Sequence, residues 1–184
     1  MTMPPLVSRL LLASAVAAIV ACSDDGLGDP QRENLVDTVT VGSLTGTPVT
    51  TASGFAVENG AVRTDQTTGF DFAYNIEADG RRVFLPRAVL GLPSTTTADP
   101  GLMRRDEQFD DIRVAPSNGY VTDEVVPVEV GERYIVRSRV ICSQTLPYYA
   151  KLEIIGFEDS LVHLKVLANT NCGFKGLEPG LPDR

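Results

Sequence analysis

His163 is the chain's only histidine, and that limits its chemistry severely. Multi-histidine metal sites are excluded, and any Ser–His–acid triad would hang on this one residue. His163 shares parity with Lys165 in an alternating stretch, which reads as an exposed strand position. No nucleophile elbow, glycine-rich phosphate loop or zinc-protease helix motif occurs. The densest acids are Asp106, Glu107, Asp110 and Asp111. Calcium takes many oxygen ligands, yet there is no Asp-x-Asp-x-Asp-Gly loop, and Arg104 and Arg105 stand alongside. A solvated, self-neutralising surface is the simpler reading, and no metal site is expected. Carboxylates that converge only in space could still hydrolyse a glycoside, so an envelope hydrolase remains a third reading. Tryptophan is absent, which weakens any carbohydrate-stacking role.

The first residues explain one cysteine. Arg9 is the only charge before an apolar run from Leu10 to Ala21. A basic start and a short apolar run form the pattern of a secretory signal. Crossing a bilayer takes about 20 apolar residues, so the run is too short for a resident span. It ends Ile19-Val-Ala-Cys22, which resembles the lipobox of bacterial lipoproteins. The resemblance implies a signal peptide over 1–21, thioether lipidation of Cys22, and cleavage that makes Cys22 the first mature residue. Acyl chains anchor by burying methylenes at about 0.8 kcal/mol each. Ser23 follows where an acid might stand, which in enteric-type sorting resembles cargo sent to the outer membrane. Residues 22–34 are polar, turn-rich and without periodicity, and read as a flexible tether.

With Cys22 acylated, Cys142 and Cys172 remain in an oxidising compartment, where a disulfide is the default. Strand parity puts Cys142 with Tyr134 and Val136, and Cys172 with Val162 and Leu164, both on the more apolar face. A free thiol pair or a metal site is the alternative. The chain is acidic, at −8, which argues against nucleic acid and anionic headgroups as partners.

Some element must hold these residues in place, and the rest of the chain, 35–184, reads as one β-rich domain. Short β-rich runs recur between turn residues: Leu35–Val41, Thr50–Val57, Phe70–Ile76, Arg82–Leu90, Ile112–Val114, Val125–Val130, Tyr134–Cys142, Tyr149–Phe157 and Leu161–Ala168. Arg137, Arg139, Lys151, Glu153, His163 and Lys165 alternate with apolar neighbours, as in antiparallel strands with one wet face. Pro86 and Pro127 suggest edges or bulges. Leu102–Asp111, after Asp99-Pro-Gly101, is the one helical candidate. The fold expected is all-β, an antiparallel sandwich-like single domain.

Three stretches in order resemble the HmuY-type lipoproteins, all-β haem-capturing proteins of bacterial envelopes. They are Phe70-Asp-Phe-Ala-Tyr74 with Arg82-Val-Phe-Leu85, then Phe109-Asp-Asp-Ile-Arg-Val-Ala-Pro-Ser-Asn-Gly-Tyr-Val-Thr-Asp123, then Tyr134-Ile-Val-Arg-Ser138 with Tyr149-Ala-Lys-Leu-Glu-Ile154. They span Phe70 to Ala168. The resemblance implies the fold, the lipid anchor and haem as a ligand. Members hold the iron by loop side chains, often two histidines and in some cases methionine. One histidine forbids bis-histidine ligation within a subunit, and no family ligand motif aligns with Met103 or His163.

The expectation is a non-enzymatic, envelope-anchored β-domain that binds haem, another ligand or a partner, without requiring a cofactor. For haem, Met103 in its Gly-Leu-Met-Arg stretch is the candidate axial ligand, with Arg104 and Arg105 for the propionates. The alternative is a structural or protein-interaction lipoprotein with no small-molecule ligand. A pocket beside Met103 favours the first reading and a long exposed edge strand the second.

Overall fold

A computed structural model describes residues 28–92, 99–142 and 145–183. The signal segment and residues 22–27 of the tether, Cys22 among them, lie outside these residues. The ten strands are β1 (Val36–Gly42), β2 (Gly54–Ala56), β3 (Gly60–Val62), β4 (Phe72–Ile76), β5 (Arg82–Pro86), β6 (Gly101–Arg105), β7 (Val126–Pro127), β8 (Arg133–Val140), β9 (Pro147–Glu158) and β10 (Leu161–Asn169). They form two five-stranded sheets, ordered β1-β10-β9-β8-β6 and β3-β2-β4-β5-β7. Every pairing is antiparallel. The domain is an all-β sandwich.

Period-two alternation builds the space between the sheets. Tyr134 and Val136 of β8, Leu152 and Ile154 of β9, and Val162, Leu164 and Val166 of β10 face Phe55, Phe72, Tyr74 and Phe84. Phe72 sits between Phe55 and Phe84, with ring centroids 5.1 and 4.5 Å away, and Phe84 meets Tyr134 edge-on. Each large apolar side chain buried here stabilises by about 1.5–3 kcal/mol.

Asp71, just before β4, ties the two sheets together. It is fully buried and accepts 2.8 Å bonds from the N–H groups of Val57 and of Arg139 in β8. The Arg139 guanidinium lies 3.7 Å from the same carboxyl and donates to Gly69 O. Burial still outweighs these partners and lifts the carboxyl to about 6.

Part of the outer face of the β1-to-β6 sheet is covered rather than wet, which the sequence reading did not expect. The segment from Phe109 to Tyr120 and the C-terminal residues around Leu177 cross it, enclosing a second cluster with Ile135, Tyr149 and Leu167. Lys151 points into this layer, as its parity requires, and is buried. Its Nζ donates to Ile112 O at 2.9 Å and lies 4.6 Å from the Phe109 ring centre. Burial, foremost, pushes its pKa down.

Other expectations need correction. Leu102–Asp111 is not helical: it is strand β6 followed by a 3₁₀ turn at Phe109–Asp111. Arg82–Leu90 ends as a strand at Pro86 and continues as a 3₁₀ turn. Ile112–Val114 forms no strand, and only Val114 bridges, to Gly176. Residues assigned to the tether are docked at its end: Asn171 Oδ1 accepts from the Gln31 and Arg32 N–H groups, and Asn34 exchanges two main-chain bonds with Gly180.

Candidate binding edge

The expected haem residues converge only in part: Met103 and Arg105 share one face of β6 and Arg104 takes the other. Met103 lies in β6, not in a loop, and points to the outer face against the second cluster. Its Sδ accepts a 3.7 Å contact from Arg105, and its Cε lies 2.8 Å from where a Cβ on Gly119 would sit. Arg104 points to the opposite face and pairs with Glu132 at 3.0 Å. Arg105 is engaged by Glu107. Successive strand residues face opposite sides, so Met103 and Arg104 cannot address one ligand from this strand.

The other axial candidates fare no better. His163 Nδ1 is 2.9 Å from Thr40 Oγ1, and Nε2 is 3.5 Å from Glu158. Burial raises the phenols of Tyr120, Tyr134 and Tyr149, which opposes a phenolate ligand. Cys142 and Cys172 form a disulfide with Cα atoms 5.9 Å apart, so neither offers a thiolate. Met103, Arg104 and Arg105 therefore do not form one haem-binding set. The acidic group behaves as a neutralised surface, with Glu107 on Arg105 and Asp110 3.6 Å from Lys165. Among the described residues Asp71 is the only buried acid, so no pair of buried carboxylates marks a cleft.

The sheet edges differ sharply. Unpaired N–H and C=O groups on an edge strand are a template for another chain, and proteins usually blunt them. On β6, Leu102 exchanges two main-chain bonds with Val121. The β7 edge is two residues long and ends in Pro127, which has no N–H to offer. The β3 edge is three residues long. By contrast β1 runs for seven residues without proline, lysine or arginine.

Register shows which β1 groups are free. Gly42 lies opposite Leu161, and the Ser43 N–H donates to Ser160 O at 2.8 Å. That makes Gly42–Leu161 a non-hydrogen-bonded pair. Alternation then turns the main-chain groups of Asp37, Val39 and Val41 toward β10 and those of Val36, Thr38 and Thr40 outward. Both ends of this outward row are occupied. The Gly42 N–H donates to Ala52 O at 2.7 Å, and Asn34 is paired with Gly180. Between them the Thr38 N–H donates to the Asp37 carboxylate at 2.7 Å, so Val36 and Thr40 carry the outward N–H groups open to a partner. The apolar side chains beside the row are open to solvent, Leu35 at 69 % and Val36 at 45 %. A bracketed strand-sized slot results.

Beside the slot the sandwich opens into a cavity of about 230 Å³. Its floor includes Phe55, Val57, Val166 and Ala168, and its mouth carries the exposed acids Asp37 and Glu58. Small-molecule pockets begin at about 300 Å³, so this space suits a side chain better than a cofactor.

Comparison with known proteins adds no relative. The chain matches no family model, no curated protein and no solved structure. The resemblance to HmuY-type lipoproteins rests on the residue strings alone.

Neither Asp71 nor the β1 slot emerged as a site from sequence. Asp71 lies inside the Phe70-Asp-Phe-Ala-Tyr74 stretch, whose alternation reads as scaffold. The alternation of Val36, Thr38 and Thr40 was legible, but edge status depends on the order in which distant strands pair.

Proposed function

We propose that this chain is an envelope lipoprotein, anchored through Cys22, whose β-domain acts by binding a protein partner along β1 rather than by catalysis. The observation that carries this reading is the seven-residue β1 edge, whose outward groups at Val36, Thr38 and Thr40 meet no neighbouring strand and of which only the Thr38 N–H is held, by the adjacent Asp37 carboxylate. Strand addition gains affinity from main-chain bonds that any extended partner can supply. The position of β1 supports the same reading. It follows directly on the segment expected to tether the domain, so the slot stays near the membrane surface where envelope proteins lie. Haem is not part of this proposal, because Arg104 faces away from Met103 and Arg105 is engaged by Glu107.

The test uses full-length protein in its native envelope. A photo-crosslinking residue at Thr38 should yield a discrete adduct in the membrane fraction, and the same residue at Ala61, on the short β3 edge, should not. The Cys22→Ser variant should lose fatty-acid labelling and the Thr38 adduct together. Equal adducts at Thr38 and Ala61, or none at either, would remove the edge-binding reading.

A further inference from the structure

We propose that the β1 slot selects an extended segment with one apolar side chain and a basic one two positions away. This rests on the edge-binding reading and specifies the partner's chemistry.

A strand added to β1 alternates its side chains between the two faces. Those on the inner face fall toward the cavity that Phe55, Val57, Val166 and Ala168 floor. At about 230 Å³ it accommodates an aliphatic side chain entering beside Val39. Of its two same-face neighbours, the one beside Asp37 approaches the mouth, where Asp37 and Glu58 stand exposed. Glu58 already shares Arg139 at 3.6 Å, whereas Asp37 accepts a neutral N–H from Thr38, so Asp37 contributes the freer charge. A basic residue at that flanking position is therefore favoured, and an acidic one is repelled. Outer-face side chains of the partner would lie beside Thr38 and Thr40 and need only be small and polar. The bracketing contacts at Asn34 and Gly42 limit the paired segment to about five residues.

A second copy of this chain is a poorer occupant. Antiparallel self-pairing about Thr38 would set Asp37 diagonally across from its own copy, within reach of like-charge repulsion. The net charge of −8 adds to that cost.

The test is a titration of the mature protein, followed by amide ¹H–¹⁵N NMR, with acetyl-Lys-Thr-Leu-Thr-Lys-amide. The control peptide carries glutamate in place of both lysines. The basic peptide should shift Val36, Thr38, Thr40 and the cavity residues saturably, at up to millimolar concentration. The acidic peptide should bind more weakly by at least about fivefold, the scale of exposed charge pairs. Thr40→Pro removes one outward N–H at a position where an edge tolerates proline. It should weaken the basic peptide by about tenfold while leaving the rest of the spectrum in place. Asp37→Lys, at an exposed site, should reverse the preference between the peptides.

Equal binding of both peptides would overturn the charge selection. No saturable shift with either would overturn the slot's proposed chemistry, while a Thr38 adduct in the envelope would still support edge binding. A concentration-dependent dimer without peptide, with protection of Val36, Thr38 and Thr40, would assign the slot to a second copy instead.

Discussion

Replacing Asp71 by asparagine should remove a pH dependence of stability that the wild type carries. The buried carboxyl is raised from 3.8 to about 6, because loss of hydration outweighs its two N–H donors and the Arg139 and Arg87 charges. A carboxyl whose folded value lies above its unfolded one contributes stability that is fully present below about 3.8 and lost as pH rises through about 6. That interval corresponds to about 3 kcal/mol. The amide offers one acceptor oxygen where the carboxylate offers two, so one of the Val57 and Arg139 N–H groups loses its partner. This costs about 1–3 kcal/mol at every pH. The stability advantage of wild type over Asp71→Asn should therefore shrink by about 3 kcal/mol between about pH 4 and pH 7. Urea unfolding of both proteins at matched pH, with the disulfide intact, reads this difference while other titrations cancel. An advantage that stays constant or grows with pH would show that Arg139 and the N–H groups win over burial.

Three further outcomes follow from packing and covalent structure. Cys142→Ser opens a link between residues 30 apart and should cost about 3–4 kcal/mol in the chain-entropy model, read as a lower unfolding midpoint. Phe109→Ala removes a ring buried beneath Lys151 and Lys165 and should cost about 3–5 kcal/mol. Amide exchange should then speed up around Ile112 before it does so in β9. Titration with haemin should give no saturable Soret shift, whereas a saturable band lost in Met103→Ala would contradict the fit made above.

The parts of the fold legible in sequence are those whose signal is local. β8, β9 and β10 alternate over eight residues or more, and their period alone places Tyr134, Leu152 and Leu164 in the core. The disulfide was readable because an oxidising compartment leaves two cysteines one obvious partner each. The β6 segment misled because Asp99-Pro-Gly101 looks like a helix start, while Leu-Met-Arg-Arg carries too few residues to display a period of two. β3 was missed for the same reason of length. Lys151 shows a different limit. Its parity correctly put it opposite Ala150 and Leu152, but nothing near it in sequence announces that Phe109 and Ile112 cover that face. The β1 edge is the extreme case, since its free row exists only because β10 is its single sheet neighbour.

The edge itself can be read residue by residue through amide exchange. Lipidated protein in native membranes should be compared with the purified, partner-free domain. In the free domain Val36 and Thr40 should exchange fast, while Val39 and Val41, bonded to β10, exchange slowly. In membranes Val36 and Thr40 should gain protection with little change at β3, β6 and β7. Exchange at those two amides that is equally fast in both preparations would contradict the claim that β1 pairs with a partner strand.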